Sequence, residues 1–351
     1  MTKKNMFRQI AASTLLLACC FSAAPAQGEV LLTSDGFKYT ITDNQVTITG
    51  CAEKCPLNLI IPSTLSATGS APVVATANYA FNGQEIASAK IAKSITTIGT
   101  GTFQDVSTLT KVEFESPSSV KEILGYALAG TGITSLNLPN TLETLGYGAF
   151  GWAESLTSVS IASGSKLATI SDYAFADSRI SWIELPASVT TLGSQAFADS
   201  PNLTSVTFLG NLPTAENDSF ARSPITKFYR LSTATGWEST FQSIPVELVA
   251  KPSYVRGAAI KGKAAKAKTL SLADGTWSNG HASSAFTYQW YHCPTKIAKI
   301  TKCSKISSAV KPSVKLTSAH VGKFIRVKVT VTNAVGSSIL FITTSGKVAS
   351  K

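Results

Sequence analysis

LPNTLETLGYGAF (Leu138–Phe150) and LPASVTTLGSQAF (Leu185–Phe197) are two copies of one pattern, 47 residues apart. Their closing aromatic belongs to a series. Phe81, Phe103, Leu128, Phe150, Phe175, Phe197 and Phe220 recur at spacings of 22, 25, 22, 25, 22 and 23. Five or six residues after each comes an apolar triplet, φ-x-x-φ-x-φ. The copies are Ile86-Ala89-Ile91, Leu109-Val112-Phe114, Ile133-Leu136-Leu138, Leu156-Val159-Ile161, Ile180-Ile183-Leu185, Leu203-Val206-Phe208 and a degenerate Ile225-Phe228-Leu231. A second apolar pair follows in several copies, as in Ile95/Ile98, Leu142/Leu145 and Val189/Leu192. The alternation of short and long spacings makes the duplicated unit a pair of coils. The long member carries its extra residues in SPSSVKEI (Ser116–Ile123) and ASGSKLATI (Ala162–Ile170).

One such coil cannot bury its own apolar residues, whereas stacked coils can, because each φ column sits on the same column of the next coil. The φ-x-φ step reads as a short strand. Strands paired from coil to coil make a parallel ladder with a repeat of about 4.8 Å. The aromatic column is core, not a cofactor site.

The pattern AF-x(5–6)-L-x-x-[VI]-x-[IF], followed by P-x-S-V-x-x-[IL]-G, resembles the BspA-like leucine-rich repeats of bacterial surface proteins. The segment FKYTITDNQVTITGCAEKCPLNLIIPSTL, from Phe37, resembles the β segment that often precedes such arrays. The family often has Cys a few residues after the Phe; here Val106, Ala153, Ser178, Ser200 and Ser223 stand there, so there is no cysteine ladder. The resemblance spans about 37–231. It implies a leucine-rich repeat solenoid of short parallel strands with short helical turns, about seven coils, and a surface binding or adhesion role.

The chain has 351 residues, room for two or three domains, with 44% hydrophobic and only 15% charged residues. This composition excludes a disordered polyelectrolyte and a coiled coil. Three histidines and two methionines argue against His-based catalysis or metal binding. The net charge of +11 is unevenly distributed. Residues 27–250 carry 11 basic and 19 acidic side chains, whereas 251–351 carry 17 basic ones and a single acid, Asp274. Such a sign reversal marks two domains with different electrostatic roles.

Residues 1–26 read as a signal peptide: a basic start, MTKKNMFR, an apolar stretch, IAASTLLLACCF, and the small-x-small site Ala24-Pro25-Ala26. Leu16-Leu17-Ala18-Cys19 is an alternative lipobox, but the bulky Leu17 is atypical there, so ordinary cleavage is expected. No transmembrane segment is expected in the mature chain, nor an LPxTG-type wall anchor. Export leaves Cys51, Cys55, Cys293 and Cys303, two local pairs in segments of different character. Outside the cytoplasm these read as disulfides Cys51–Cys55 and Cys293–Cys303 rather than as a zinc site.

Residues 27–66 are thus expected to be a β capping segment, 67–231 the repeats, 232–254 a cap and linker, and 255–351 a separate all-β module. In that module the periodicity becomes two, as in Phe286–Tyr291 and Ile325–Val331. Gly275-Thr276-Trp277, Tyr288-Gln289-Trp290 and Asn333-Ala334-Val335-Gly336 resemble landmarks of the immunoglobulin-like modules of secreted bacterial proteins, which implies an immunoglobulin-like sandwich. Lys261, Lys263, Lys266 and Lys268, with the loop lysines Lys296, Lys299, Lys302 and Lys305, supply a positive surface for an anionic envelope polymer. An exported protein does not have nucleic acid as its main partner.

No nucleophile, zincin, phosphate-loop or dinucleotide motif is present, so an enzyme is not expected, and no cofactor or metal. His292 beside Cys293 is not read as a nucleophilic pair, because the cysteine has Cys303. Glu113 and Glu115 are two apart on one strand face and lack the burial that tunes a hydrolytic acid. The strand residues that alternate outward form two columns. One is Lys90, Glu113, Asn137, Ser160, Glu184, Thr207 and Tyr229; the other is Ser88, Lys111, Ser135, Ser158, Trp182, Ser205 and Lys227. Trp182, the large aromatic among Ser and Lys, marks a recognition face with Glu184, Asn137, Glu113 and Tyr229 for an extracellular protein or glycan ligand. The reading is a secreted or cell-surface adhesion protein; the alternative is an accessory domain or unrecognised hydrolase acting on extracellular glycans.

Overall fold

The computed structural model describes residues 32–162, 164–278, 285–333 and 335–351. The leader expected at 1–26, with Cys19, lies outside them. The repeats wind into a β-solenoid of about 8 turns. Each φ-x-φ step is a four-residue strand, and the outward columns align residue for residue: Lys90 beside Glu113, Asn137 beside Ser160, Trp182 beside Ser205 beside Lys227. The second apolar pair of each coil ends in a two-residue rung, such as Thr144–Leu145 and Thr191–Leu192. These rungs join a continuous ten-stranded sheet that begins at the antiparallel strands Leu32–Ser34, Phe37–Thr42 and Gln45–Cys51. The opening segment also supplies Asn58–Ile61, which pairs with Ser88–Ile91 and so starts the ladder one coil before the first aromatic landmark.

The ladder is segmented where the rung sheet is not. It breaks between Lys111–Phe114 and Ser135–Leu138 and again between Ser158–Ile161 and Trp182–Leu185. Both breaks follow a long coil. There the inserted residues leave the last apolar position of the strand, Phe114 or Ile161, half-buried, while Ile91, Leu138, Leu185 and Phe208 are buried.

The aromatic landmarks stack through the core, with ring centroids 5.3 Å apart for Phe81–Phe103 and Phe150–Phe175, 5.2 Å for Phe175–Phe197 and 5.4 Å for Phe197–Phe220. The landmark N–H groups also tie the coils together: Phe81, Phe103, Leu128, Phe150, Phe175 and Phe197 each donate across to the next coil at 2.8 Å. Three residues further on, the places where a cysteine ladder is missing are filled, and all but the half-buried Ser223 are buried. Ser178 and Ser200 share a hydrogen bond of 3.1 Å, Ser223 donates to the Phe197 carbonyl at 2.7 Å, and in the Leu128 coil Thr131 donates to the Leu128 carbonyl at 2.8 Å. These hydroxyls are satisfied within the turn, as at Thr131, or by the neighbouring coil, as at Ser178, Ser200 and Ser223.

The expectation of short helical turns is corrected. Among the described residues helix is confined to three single 3-10 turns, Ser66–Thr68, Ile300–Lys302 and Ser318–His320, none of them in a coil. The reason is backbone handedness. The turn around each landmark has left-handed residues on both sides of the aromatic, with φ between 53° and 65°. One column is Tyr79, Gly101, Tyr126, Gly148, Tyr173 and Gln195, and the other runs from Gly83 through Asp105, Gly130, Trp152, Asp177 and Asp199 to Arg222. A chain that turns left-handed twice within five residues cannot continue as a right-handed helix.

The alternation explains the 47-residue unit. Tyr126 lies across Gly148 of the next coil, where an added Cβ would meet its ring carbons at 3.0 and 3.1 Å. Tyr79 lies over Gly101 in the same way. In the third pair Gln195 replaces the glycine and donates to the Tyr173 hydroxyl at 3.0 Å.

The seventh strand differs from its reading. Arg230, not Leu231, occupies the position level with Phe208, and its guanidinium donates to the Leu231 and Ala234 carbonyls at 3.2 Å. The open end is closed by an aromatic plug. Trp237 packs on Phe208 with centroids 4.7 Å apart and Phe241 on Phe228 at 5.2 Å, while Ile244–Leu248 extends the ladder beside Lys227–Arg230. The C-terminal part is all-β. A four-stranded antiparallel sheet is built on Ala285–Cys293, Phe324–Asn333 and Gly336–Thr343, and smaller sheets include Ala259–Lys261, Thr269–Ala273 and Ser313–Lys315. Its core holds Trp290, Leu270, Leu316 and Val327, and the Trp290 indole donates to the Lys311 carbonyl at 2.9 Å.

Gly146 tests the close stacking. Its φ lies outside the left-handed region, yet an added Cβ would sit 2.7 Å from the backbone of Leu124 and Gly125. Gly146→Ala is therefore expected to destabilise by about 1–3 kcal/mol, opposite in sign to the ~0.4–1 kcal/mol gained at an unobstructed position. Urea unfolding followed by circular dichroism measures the difference.

Candidate binding faces

The ladder brings the sequence-predicted recognition residues to one face but spreads them over its blocks. Asn137 belongs to the block of Ser135–Leu138 and Ser158–Ile161, and its side chain is hydrogen-bonded with Ser160. Glu113 lies in the block before it, bonded to Lys111 at 2.5 Å. Trp182, Glu184 and Tyr229 share the block after it. Trp182 and Glu184 are half-buried, flanked by Ser205 and Thr207, and Tyr229 stands next to Thr207 and beside Glu247. The column is not uniformly open, since Thr207 is buried between its neighbours. Lys227 pairs with Glu247 at 2.6 Å and closes the lower rim.

Glu113 and Glu115 do not make an acid–base pair. Lys111 donates to Glu113, and Lys90 bonds Glu115 at 2.7 Å while the Lys93 amide also donates to it. These partners hold both carboxyls below their ordinary range, led in each case by the lysine hydrogen bond. A general acid needs the opposite shift.

In the C-terminal region all eight candidate lysines are exposed: Lys261, Lys263, Lys266 and Lys268 around the turn into Thr269–Ala273, and Lys296, Lys299, Lys302 and Lys305 around the disulfide loop. Arg326, another of the basic residues of this region, differs from these lysines. It is buried, and its guanidinium donates to the Ala298 carbonyl at 2.5 Å, the Lys296 carbonyl at 2.6 Å and Thr343 Oγ1 at 2.7 Å. Together with Cys293–Cys303 (S–S 2.10 Å) it pins the lysine loop from below, so the loop is not free. Cys51 and Cys55 are also joined, at 2.00 Å. Cys293 is thus no nucleophile. His292 faces His320 with centroids 5.9 Å apart, and burial, with His292 second, pushes the His320 imidazole down. Among the described residues no group of three or more His, Cys, Asp or Glu side chains is placed to hold a metal ion. No helix among them is long and apolar enough to cross a membrane.

Sequence reasoning missed a second surface. On the landmark turns, Tyr126 contacts Tyr147 (5.2 Å between centroids) and Trp152 (6.0 Å), and Tyr147 contacts Tyr173 (5.3 Å). The signal was present, since Tyr79, Tyr126 and Tyr173 stand two residues before a landmark, once per 47 residues. Beyond Tyr173 the surface turns polar: Arg222 bonds Gln195 at 3.1 Å and forks onto Asp199 at 2.8 and 2.5 Å, and Ser194 donates to Asp218 at 3.0 Å.

A family described as "BspA type Leucine rich repeat region" matches residues 74–166 and 121–243, in six copies. No curated protein matches the chain. Among solved structures, the pneumococcal vaccine antigen PcpA is 19% identical over 64% of this chain and 68% of that one, with a TM-score of 0.47. A leucine rich cell surface protein from Faecalibacterium prausnitzii is 16% identical over 64% and 73%, TM-score 0.39. A leucine rich repeat protein from T. pallidum is 21% identical over 62% and 91%, TM-score 0.39.

Burial, ahead of neighbouring charge, raises the phenols of Tyr126, Tyr147 and Tyr173 above their ordinary value. Above about pH 10 the unfolded chain therefore loses protons that the folded one keeps, and stability falls as pH rises. Ultraviolet titration of the phenolates should show a late-ionising class, and the unfolding midpoint should drop over the same range.

Proposed function

Because residues 74–243 are a BspA-type leucine-rich repeat region, we propose that this chain is an exported bacterial surface-binding protein. In this reading the ladder face around Trp182 takes an extracellular protein or glycan ligand. The basic all-β module, from about residue 255 and of immunoglobulin-like type, holds the protein to an anionic envelope polymer.

The observation that carries the proposal is electrostatic segregation on an extended scaffold. The lysines are exposed on a pinned loop and on the turn into Thr269–Ala273, and the single carboxylate of the region, Asp274, is hydrogen-bonded with Tyr288, whose phenol burial pushes up to about 12. The repeat part has a net charge of the opposite sign, so an anionic surface repels it and turns it outward. Trp182 supports the recognition role because it is a half-buried aromatic on an otherwise Ser- and Lys-rich column.

Two sets of full-length variants separate the roles. Changing Lys296, Lys299, Lys302 and Lys305 together to Gln should weaken retention on purified cell envelope and flatten its salt dependence, because exposed charges are screened over about 8–10 Å at ordinary ionic strength. Trp182→Ala should leave that retention intact while costing about 2 kcal/mol in binding to an extracellular ligand, with the thermal midpoint little changed. Retention that ignores both salt and the lysines would show the charge to be solubilising only.

A further inference from the structure

We infer that the tyrosine strip on the landmark turns is a second binding surface, a platform for a neutral β-1,4-linked glycan lying along the solenoid axis. It is separate from the ladder face, because it is built on the left-handed turns and not on the four-residue strands.

Four observations support this ligand. The first is exposure: Tyr147 is 41% exposed and forms a contiguous aromatic patch with Tyr126, Trp152 and Tyr173 rather than a scattered single residue, and Tyr79, 46% exposed, continues the same column two coils earlier. The second is rigidity. The rings rest on one another, Tyr126 lies on Gly148 and the Tyr173 hydroxyl accepts from Gln195, so little side-chain freedom remains to be lost on binding. The third is period. Tyr79, Tyr126 and Tyr173 recur every two coils, about 10 Å along a stack of parallel strands. A β-1,4-linked chain turns over at each sugar and presents the same apolar C–H face every second sugar, at about that interval. The fourth is polarity. The rim beyond Tyr173 offers Gln195, Ser194, Asp218 and the Arg222–Asp199 pair, donors and acceptors of mixed sign suited to sugar hydroxyls. A polyanion would instead meet the net negative charge of residues 27–250.

The test titrates the full-length protein with cellohexaose and chitohexaose and with the corresponding trisaccharides, by calorimetry and by aromatic fluorescence. At least one hexasaccharide should bind at least about tenfold more tightly than its trisaccharide, because the trisaccharide reaches two tyrosines of the 47-residue series and the hexasaccharide all three. Tyr147→Ala should weaken that binding about tenfold or more, the usual consequence of truncating an aromatic anchor, and Trp182→Ala should leave it unchanged. If Tyr147→Ala disturbs folding, Tyr79→Ala, at the most exposed ring, replaces it, with the same loss expected. Absence of binding at millimolar sugar, equal affinity for the two lengths, or full binding by the folded tyrosine variant would each overturn the proposal. Loss of binding in Trp182→Ala instead would move the glycan to the ladder face.

Discussion

Coil-on-coil stacking is the interaction on which the rest depends. A single turn of 22 to 25 residues has no inside, and its apolar side chains are buried only by the turns above and below. The main recurring features are consequently columns with one member per coil: the aromatic landmarks, the triplet strands and the amides that donate at 2.8 Å. A column interrupted in one coil is repaired locally. Leu128 stands in the aromatic column between Phe103 and Phe150 and stays fully buried. The two ends need separate solutions, an antiparallel β segment at Leu32–Cys51 and the Trp237–Phe241 plug at the other end.

The columns also carry a period longer than one coil. A tyrosine ring crossing the next backbone requires a residue without a Cβ, or a side chain that reaches the phenol from beside it. Tyr79 with Gly101, Tyr126 with Gly148 and Tyr173 with Gln195 meet this requirement in turn. A gain or loss of a single coil would set like against like, tyrosine over tyrosine, whereas a gain or loss of two keeps the partners matched. This gives the 47-residue periodicity a steric cause.

Much of this was legible in the sequence. Apolar side chains at fixed spacing on stacked coils leave one register open, so the pairings of Trp182 with Ser205 and of Lys90 with Glu113 followed directly. Both disulfides were legible because each closes within ten residues. The turns were not. Tyr, Trp, Asp and Arg at positive φ contradict local preference, and only the hydrogen bonds between coils make that conformation favourable. The role of Arg326 was hidden for another reason. It depends on carbonyls 28 and 30 residues away, in a loop whose path the sequence does not specify. The tyrosine strip was visible as a periodicity, but its reading required knowing that Tyr147 fills the gap between Tyr126 and Tyr173.

The unequal continuity of the two solenoid walls has a mechanical consequence. The rung wall is one uninterrupted sheet, and the ladder wall is divided into blocks after each long coil. Bending that parts the ladder at a division breaks no strand-to-strand hydrogen bond there, whereas bending the other way strains the pairing of the ten-stranded wall. The array is thus compliant in one direction and stiff in the other, a hinged plate with its flexure lines set two coils apart.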